Sequence, residues 1–119
     1  MANRTFISMT AGEDLSSGQY QLVYVDAANS VKQRNGKGAP GIGVLNNKPQ
    51  SGEHASIVVM GMTRCKAGGT IAAGNWVTCS ASGTGIAVSS GEYIFGKAIT
   101  GVASGSTFQL LIQHNGYRG

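Results

Sequence analysis

The stretch AGEDLSSGQY at residues 11–20 has a counterpart, AGGTIAAGNW, at residues 67–76. Both begin with Ala-Gly, reach an aliphatic residue and then a second Gly, and end on an aromatic residue, so that Tyr20 matches Trp76. Two similar loop sequences that lie 56 residues apart indicate a duplicated structural unit. The small residues and the shared Gly before each aromatic residue predict a tight turn, in which Gly supplies a backbone angle that other residues resist.

The likeness continues beyond this loop at a slightly shorter spacing. GVLNNKPQSGEHASIVV (43–59) aligns with GKAITGVASGSTFQLLI (96–112), and these segments are 53 residues apart. The first copy therefore has a connector that is three residues longer, the difference between 56 and 53. We interpret the chain as an N-terminal arm, residues 1–10, followed by a single β domain, residues 11–119. The domain holds two degenerate units, about 11–59 and 67–112.

The matched segments have the composition of strands and turns. QYQLVYV (19–25) alternates so that Tyr20, Leu22 and Tyr24 share one face, which is typical of a half-buried strand. DAANSVKQ (26–33) is the best helical candidate, but it is too short and polar for more than one turn. The further predicted strands are ASIVVMGMTRC (55–65), NWVTCSA (75–81), GEYIFGKAIT (91–100) and TFQLLIQH (107–114).

The predicted fold class is therefore all-β: a small antiparallel β-barrel or sandwich built from two degenerate β repeats, with an extended N-terminal arm. Closing duplicated strands on themselves protects the edges of a sheet. The composition agrees, because charged residues are only 12% of the chain while glycine occurs 19 times. No run approaches the roughly 20 apolar residues of a membrane helix, and no secretory signal is apparent at the start. These features predict a protein without a membrane partner that is made in a cytoplasm.

The two cysteines fit a structural role better than a chemical one. In the repeat alignment Cys65 takes the place of Met9, and Cys79 takes that of Val23. Both positions are apolar in the other copy, so we expect reduced, buried thiols that pack as small hydrophobic residues. The only histidines, His54 and His114, lack ligand-like spacing to either cysteine. The sequence predicts no metal site.

Two glycine-rich segments match nucleotide-binding motifs in letters only. GKGAPG (36–41) satisfies G-x-G-x-x-G, but a polar segment precedes it and Pro40 stands where a helix would run. GEYIFGKA (91–98) approaches a P-loop, but Ala98 follows the lysine where Ser or Thr is required. With five carboxylates and no nucleophile motif, we expect no cofactor, no catalytic residue and no enzymatic activity.

The N-terminal arm is the first candidate contact surface. Phe6, Ile7 and Met9 are apolar residues near a terminus, with Arg4 and other polar residues between them. A loose terminus has no need of this pattern, so the arm is expected to order as an added strand on a neighbour. The neighbour is either another protomer or a different protein.

The second candidate is the basic run KQRNGKG (32–38), in which Lys32, Arg34 and Lys37 supply three of the nine basic residues. It is either a solvated loop or an electrostatic contact with an acidic partner. Nucleic acid is the less favoured partner, because no stacking aromatic residues are interleaved with these charges and the net charge of +4 is modest.

Three long segments together resemble the small capsid decoration proteins of tailed bacteriophages, also called cement or head-stabilisation proteins. The resemblance covers roughly residues 5–112; its more specific parts are Gly-Val-Leu-Asn-Asn-Lys-Pro (43–49) and Ala-Gly-Gly-Thr-Ile-Ala-Ala-Gly (67–74). The tail Asn115–Gly119 has no role in the family pattern. The three segments are MTAGEDLSSGQYQLVYVD, GIGVLNNKPQSGEHASIVVMGMTRCKAGGTIAAGNWV and SSGEYIFGKAITGVASGSTFQLLI.

The resemblance implies a homotrimer on the outside of a phage head, made in the host cytoplasm. Such proteins sit at local threefold positions between subunits of the major capsid protein and hold them together against internal DNA pressure. The alternative is a head fibre or a binding module for host surface glycans or single-stranded nucleic acid. The expected localisation is the outer surface of the virion.

Overall fold

The computed structural model describes residues 4–34, 36–114 and 116. Residues 1–3 of the arm lie outside the described residues, as does the tail Asn115–Gly119 apart from Gly116. The described residues form strands and turns, which confirms the all-β prediction. The strands are β1 (Arg4–Ala11), β2 (Leu22–Ala27), β3 (Ser30–Gln33), β4 (Gly43–Leu45), β5 (His54–Lys66), β6 (Trp76–Cys79), β7 (Gly85–Ala87), β8 (Gly96–Ala98) and β9 (Thr107–Ile112).

The strands form one hydrogen-bonded sheet that closes twice. Its order is β1-β3-β2-β4-β5-β9-β8-β6-β7, and β1 also pairs with β5, so the first five strands of the sequence close a ring that we call the first barrel. The second half of β5 continues through β9, β8, β6 and β7, and a bridge between Ala67 and Gly85 closes the second barrel. β1–β3 and this bridge are parallel, whereas the other strand pairings are antiparallel.

Each barrel has its own hydrophobic core. The first core consists of Ala11, Leu15, Val23, Val31, Leu45, Ala55 and Ile57. The second core consists of Leu22, Val44, Val58, Cys65, Ala67, Ile71, Val77, Cys79, Phe95, Ala98, Phe108, Leu110 and Ile112. Because successive residues of a strand face opposite sides of a sheet, Leu22 and Val23 enter different cores. The first barrel is therefore packed on both sides of its wall.

The predicted duplication is visible in the strand register. Val44 of β4 pairs with Val58 of β5, and Lys97 of β8 pairs with Leu111 of β9. These are the residues that the sequence alignment matches at a spacing of 53. We call residues at the same place in the two barrels counterparts.

The register of the opening loops differs from the sequence alignment by two residues. The N–H of Tyr20 donates to the carbonyl oxygen of Leu45, and the N–H of Gly74 donates to that of Ala98 in the same way. Both residues are left-handed, with φ of 67° for Tyr20 and 90° for Gly74. Tyr20 is therefore the counterpart of Gly74, and the predicted match to Trp76 is wrong. The left-handed turn is present in both copies, but only one copy marks it with Gly.

The two-residue shift also changes which strand residues correspond. Leu22 and Trp76 hold the same register position beside β4 and β8, and Val25 and Cys79 hold the same position beside β3 and β7. Cys79 therefore corresponds to Val25, and its predicted match to Val23 is wrong. The loop before β2 is longer than the loop before β6, which a gap-free alignment of this stretch does not reveal.

Two local predictions around β2 are also wrong. Strand β2 begins at Leu22, so Tyr20 lies in the turn before it. The predicted one-sided alternation fails because both faces are covered at Leu22 and Val23 and the strand is exposed from Val25 on. The helical candidate, residues 26–33, is instead a hairpin: β2 turns at Asn29, whose φ is 57°, into β3. Asparagine tolerates this left-handed conformation better than most residues, so the turn forms without Gly.

The N-terminal arm is a strand of the chain's own sheet, which corrects the prediction that it adds to a neighbour. β1 pairs antiparallel with β5 from Thr10 opposite His54 to Arg4 opposite Gly61. At its other edge, Ala11 pairs in parallel with Val31 of β3. β1 closes the first barrel, so its backbone groups find their partners within the same molecule.

Candidate binding surfaces

The outer part of β1 carries an exposed apolar and basic group. Phe6 is 43% exposed and Ile7 is also exposed. The guanidinium carbon of Arg4 lies 5.3 Å from the centre of the Phe6 ring, within the range of a cation–π contact. Met9 is half-buried and packs against the first core, so it differs from the other three predicted contact residues.

The basic run does not form one cluster. Lys32 of β3 pairs across the strands with Tyr24 of β2, and the guanidinium carbon of Arg34 lies 4.2 Å from the centre of the Tyr24 ring. Nζ of Lys32 lies 3.7 Å from Oδ2 of Asp26. Arg34 and Lys32 therefore flank one tyrosine on the outside of the β2–β3 hairpin. Ion pairs this exposed contribute little to stability, which leaves these cations available to a partner.

Lys37 points elsewhere, toward the second barrel. Its Nζ lies 3.8 Å from Oε2 of Glu92, and the Lys37 side chain is largely exposed. Oε1 of the same carboxylate accepts a hydrogen bond from the N–H of Ser89. The structure therefore brings Lys32 and Arg34 together and separates Lys37 from them.

A third surface, on the outside of the second barrel, was missed by the sequence reasoning. Trp76 of β6 pairs with Lys97 of β8, which pairs with Leu111 of β9. We call these three residues the outer row of the second barrel. Trp76 is 37% exposed, Lys97 and Leu111 are half-buried, and Nζ of Lys97 lies 4.6 Å from the centre of a Trp76 ring. In the sequence, Trp76 and Thr78 are two residues apart on one predicted strand. This spacing does not show whether their side chains face solvent or the core, and in the structure Trp76 is exposed while Thr78 is buried.

The described residues hold no metal-binding cluster, and their two thiols are buried. No group of three or more His, Cys, Asp or Glu side chains that could hold a metal ion occurs there. Cys65 and Cys79 are buried and unbridged, as their predicted packing role requires. Loss of solvation raises the pKa of the Cys65 thiol to about 12 and also raises the pKa of Cys79, so both stay protonated and poorly nucleophilic near neutral pH.

Known phage proteins share the sequence pattern and the fold of this chain. The family model described as phage cement protein matches residues 3–113, which takes in both barrels. The crystal structure of the N base of the head fibre gp8.5 of bacteriophage phi29 matches with a TM-score of 0.73. The two chains are 15% identical over 98% of this chain and 100% of that one, so this likeness establishes a shared fold. No curated protein is significantly similar in sequence.

Among the described residues there is no helix long and apolar enough to cross a membrane.

Proposed function

This chain belongs to the phage cement protein family and is a structural protein of a phage capsid, and from that premise we propose that it binds the outside of the capsid and stabilises it. In this proposal it bridges subunits of the major capsid protein as a homotrimer at local threefold sites. It is made in the host cytoplasm and ends on the outer surface of the virion. It acts by binding and not by chemistry.

The observation that carries this proposal is the family match over residues 3–113, because it includes every strand of both barrels. The structure is suited to the task in two ways. Its double closure ties the strands of each barrel into a ring, which makes the walls rigid. Its exposed large apolar residues, apart from Ile99, lie on strands, where a flat contact with another protein is possible.

Bridging strengthens the attachment through multivalency. When one protomer of a trimer has bound, the remaining contacts form within the same complex and need less affinity of their own. Contacts with millimolar affinity, about 4 kcal/mol each, then hold the trimer firmly. Because the trimer binds only the assembled shell, it raises the stability of that shell by mass action.

We assign the capsid contact to two of the described surfaces. One is the outer part of β1, with Arg4, Phe6 and Ile7; the other is the basic run, with Lys32, Arg34 and Lys37. Exposed aromatic and arginine side chains are favoured in protein interfaces, and the cations suit an acidic capsid surface. Met9, which packs against the first core, is assigned to a contact between protomers.

The proposal predicts a direct effect on isolated phage heads. Adding the purified protein to undecorated, expanded heads should raise the temperature at which the heads are disrupted, measured by scanning calorimetry or dye access to the packaged DNA. The effect should saturate at a fixed ratio of protein to capsid subunits, because the number of threefold sites is fixed. Heads whose disruption temperature is unchanged at saturating protein would contradict the proposed function.

The basic run predicts a salt dependence of attachment. Exposed charges are screened over about 8 Å at physiological ionic strength, so attachment through them should weaken as salt rises. Replacing Lys32, Arg34 and Lys37 with Ser should flatten this dependence in a co-sedimentation assay with heads. The matched control replaces Lys48, Arg64 and Lys66 with Ser, which removes the same charge from other exposed positions. Equal flattening by both triple variants would show that net charge, and not this run, is responsible.

A second candidate function is the base of a head fibre. It is favoured by the fold shared with the N base of the phi29 head fibre. Electron microscopy of heads decorated with this protein separates the two candidates. Low, compact knobs at the threefold sites are expected for a cement protein, whereas a fibre base would require a protruding fibre joined to each knob in virions.

A further inference from the structure

The wall of the first barrel covers the core of the second barrel. Leu22, Val44 and Val58 lie side by side on β2, β4 and β5, in direct register, and we call them the outer row of the first barrel. Their sequence neighbours Val23, Leu45 and Ile57 face the first core, so this row faces outward from the first barrel. All three members of the row are 0% exposed and belong to the second core.

The counterpart of this row is uncovered. Trp76, Lys97 and Leu111, the outer row of the second barrel, hold the same register positions as Leu22, Val44 and Val58. Their side chains are nevertheless exposed or half-buried, because no described segment of the chain packs over them as the second barrel packs over the outer row of the first. The second barrel thus presents a wall of the same register, in which Trp76 and the Lys97 side chain that lies over it take the places of Leu22 and Val44.

The surface of the second barrel on which the buried row packs also has an exposed counterpart in the first barrel. At the end of the second barrel, four residues lie in the same core as the buried row, and none is more than 1% exposed: Cys65, Cys79, Phe95 and Ile112. We call their counterparts the rim of the first barrel. Of the rim residues, Val25 is 45% exposed and the others are half-buried. The rim residues are Met9, Val25, Ile42 and Val59.

A loop completes the internal contact and is also duplicated. The thiol of Cys79 lies 3.0 Å from the carbonyl oxygen of Gly36, and the N–H of Gly38 donates to the carbonyl oxygen of Cys79. The loop of the first barrel thus lies over the end of the second. Its counterpart contains Gly91, left-handed like Gly38, and an added Cβ at Gly91 would meet no atom within 4 Å. The second copy of this loop touches the first copy through Glu92, which lies against Gly38 and pairs with Lys37, while Gly91 is exposed.

We infer that the internal contact is repeated between molecules: the outer row of the second barrel of one protomer packs on the rim of the first barrel of another. The exposed row of one protomer is occupied by the rim of a second copy of this chain. Within each chain, the outer row of the first barrel already packs on Cys65, Cys79, Phe95 and Ile112, and the rim residues are the counterparts of these four. Because the contact is head-to-tail, a pair of protomers has a free row at one end and a free rim at the other. A ring closes when further protomers bring this free row and this free rim together. This inference rests on the trimeric form of the proposed function, in which the third protomer closes the ring.

Two substitutions test the two halves of the contact. Trp76→Asp places a charge in the row and Val25→Asp places one in the rim; both sites are exposed, so the monomer should fold. Each variant should weaken self-association in analytical ultracentrifugation at least about thirtyfold, because a central tryptophan or a desolvated charge has the effect of an interface hot spot. The matched control is Ile99→Asp. Ile99 is 40% exposed, and its counterpart Asn46 lies outside the buried row and donates its N–H to Ser56 of the first barrel, so this variant should assemble like the wild type.

Mixing the variants tests the head-to-tail geometry. A Trp76→Asp protomer keeps an intact rim and a Val25→Asp protomer keeps an intact row, so the mixture should form a one-to-one dimer, detected by cross-linking of mass-tagged chains, that neither variant forms alone. Absence of the mixed dimer, normal assembly of either variant, or a monomeric wild type would overturn the inference. Binding of the same proteins to heads is measured separately: a wild-type trimer that fails to bind heads contradicts the proposed function and leaves the protomer contact standing.

Discussion

Replacing Gly96 with Ala is expected to destabilise the protein by about 3 kcal/mol or more. An added Cβ at Gly96 would overlap the backbone carbonyl oxygen of Leu111 on the neighbouring strand. This neighbour is backbone within a ladder and cannot rotate away, so β8 and β9 must separate and their hydrogen bonds must lengthen. The duplication extends the prediction to Gly43, whose Cβ would overlap the carbonyl oxygen of Val58 in the same way. A loss of this size is a large fraction of the stability of an ordinary domain.

The matched control for these variants is Gly69→Ala. An added Cβ at Gly69 would approach no atom closer than Cγ2 of Ile86 at 4.0 Å, and its backbone is not left-handed. Its free energy of unfolding should change by less than about 1 kcal/mol, and a small gain is possible because Ala restricts the unfolded chain. Urea denaturation of the three variants measures the difference. Equal midpoints for Gly96→Ala and Gly69→Ala would show that the strands separate without cost.

The duplication was predictable because close backbone approach leaves a trace in the sequence. Gly43 and Gly96 recur where β4 and β8 press against a neighbouring strand, and Gly12 and Gly68 recur where an added Cβ would overlap the side chains of Ser30 and Thr84. At Gly43 and Gly96 the neighbouring atom is backbone that cannot move aside, so glycine is required there in both copies. These glycines carry the alignment through most of its length.

The two-residue shift was not predictable for the opposite reason. The left-handed position is filled by Gly74 in one copy and by Tyr20 in the other, so its conformation is not marked by residue type. The nearby Gly18 is not left-handed, yet it attracts the alignment because it is a glycine. The hairpin at Asn29 was missed similarly, since a single asparagine between polar residues is also compatible with a helical turn.

The exposed surfaces could be predicted only in part. Arg4, Phe6 and Ile7 drew attention by being apolar and basic near a terminus, and the structure leaves them exposed. Leu22 and Trp76, in contrast, occupy the same place in their barrels, yet one is buried and the other is exposed. The difference comes from the packing of the two barrels: Leu22 lies in the second core, whereas no described segment buries Trp76. A local pattern of hydrophobicity does not contain this information.

Deleting residues 2–10 is expected to abolish folding of the first barrel, because the arm is a strand of that barrel and not a strand added to a neighbour. The deletion removes nearly all of β1, which pairs with β5 over seven residue positions and closes the ring against β3. It uncovers Ala55 and Ile57 of the first core and leaves one edge of β5 without hydrogen-bond partners. Because β5 also runs through the second barrel, both barrels should lose stability. Circular dichroism and thermal unfolding should show loss of the cooperative transition.

A side-chain variant separates this structural role from the proposed contact with the capsid. Arg4→Ser combined with Phe6→Ser keeps the β1 backbone and removes only exposed groups, so its unfolding temperature should stay close to that of the wild type while its attachment to heads weakens. Retention of the wild-type unfolding transition by the deletion variant would show that β1 is dispensable for the fold and would restore the prediction that the arm pairs with a neighbour. β1 therefore has two roles along its length: its backbone and inward residues close a barrel, and Arg4 and Phe6 remain free to meet the shell because their side chains lie outside that closure.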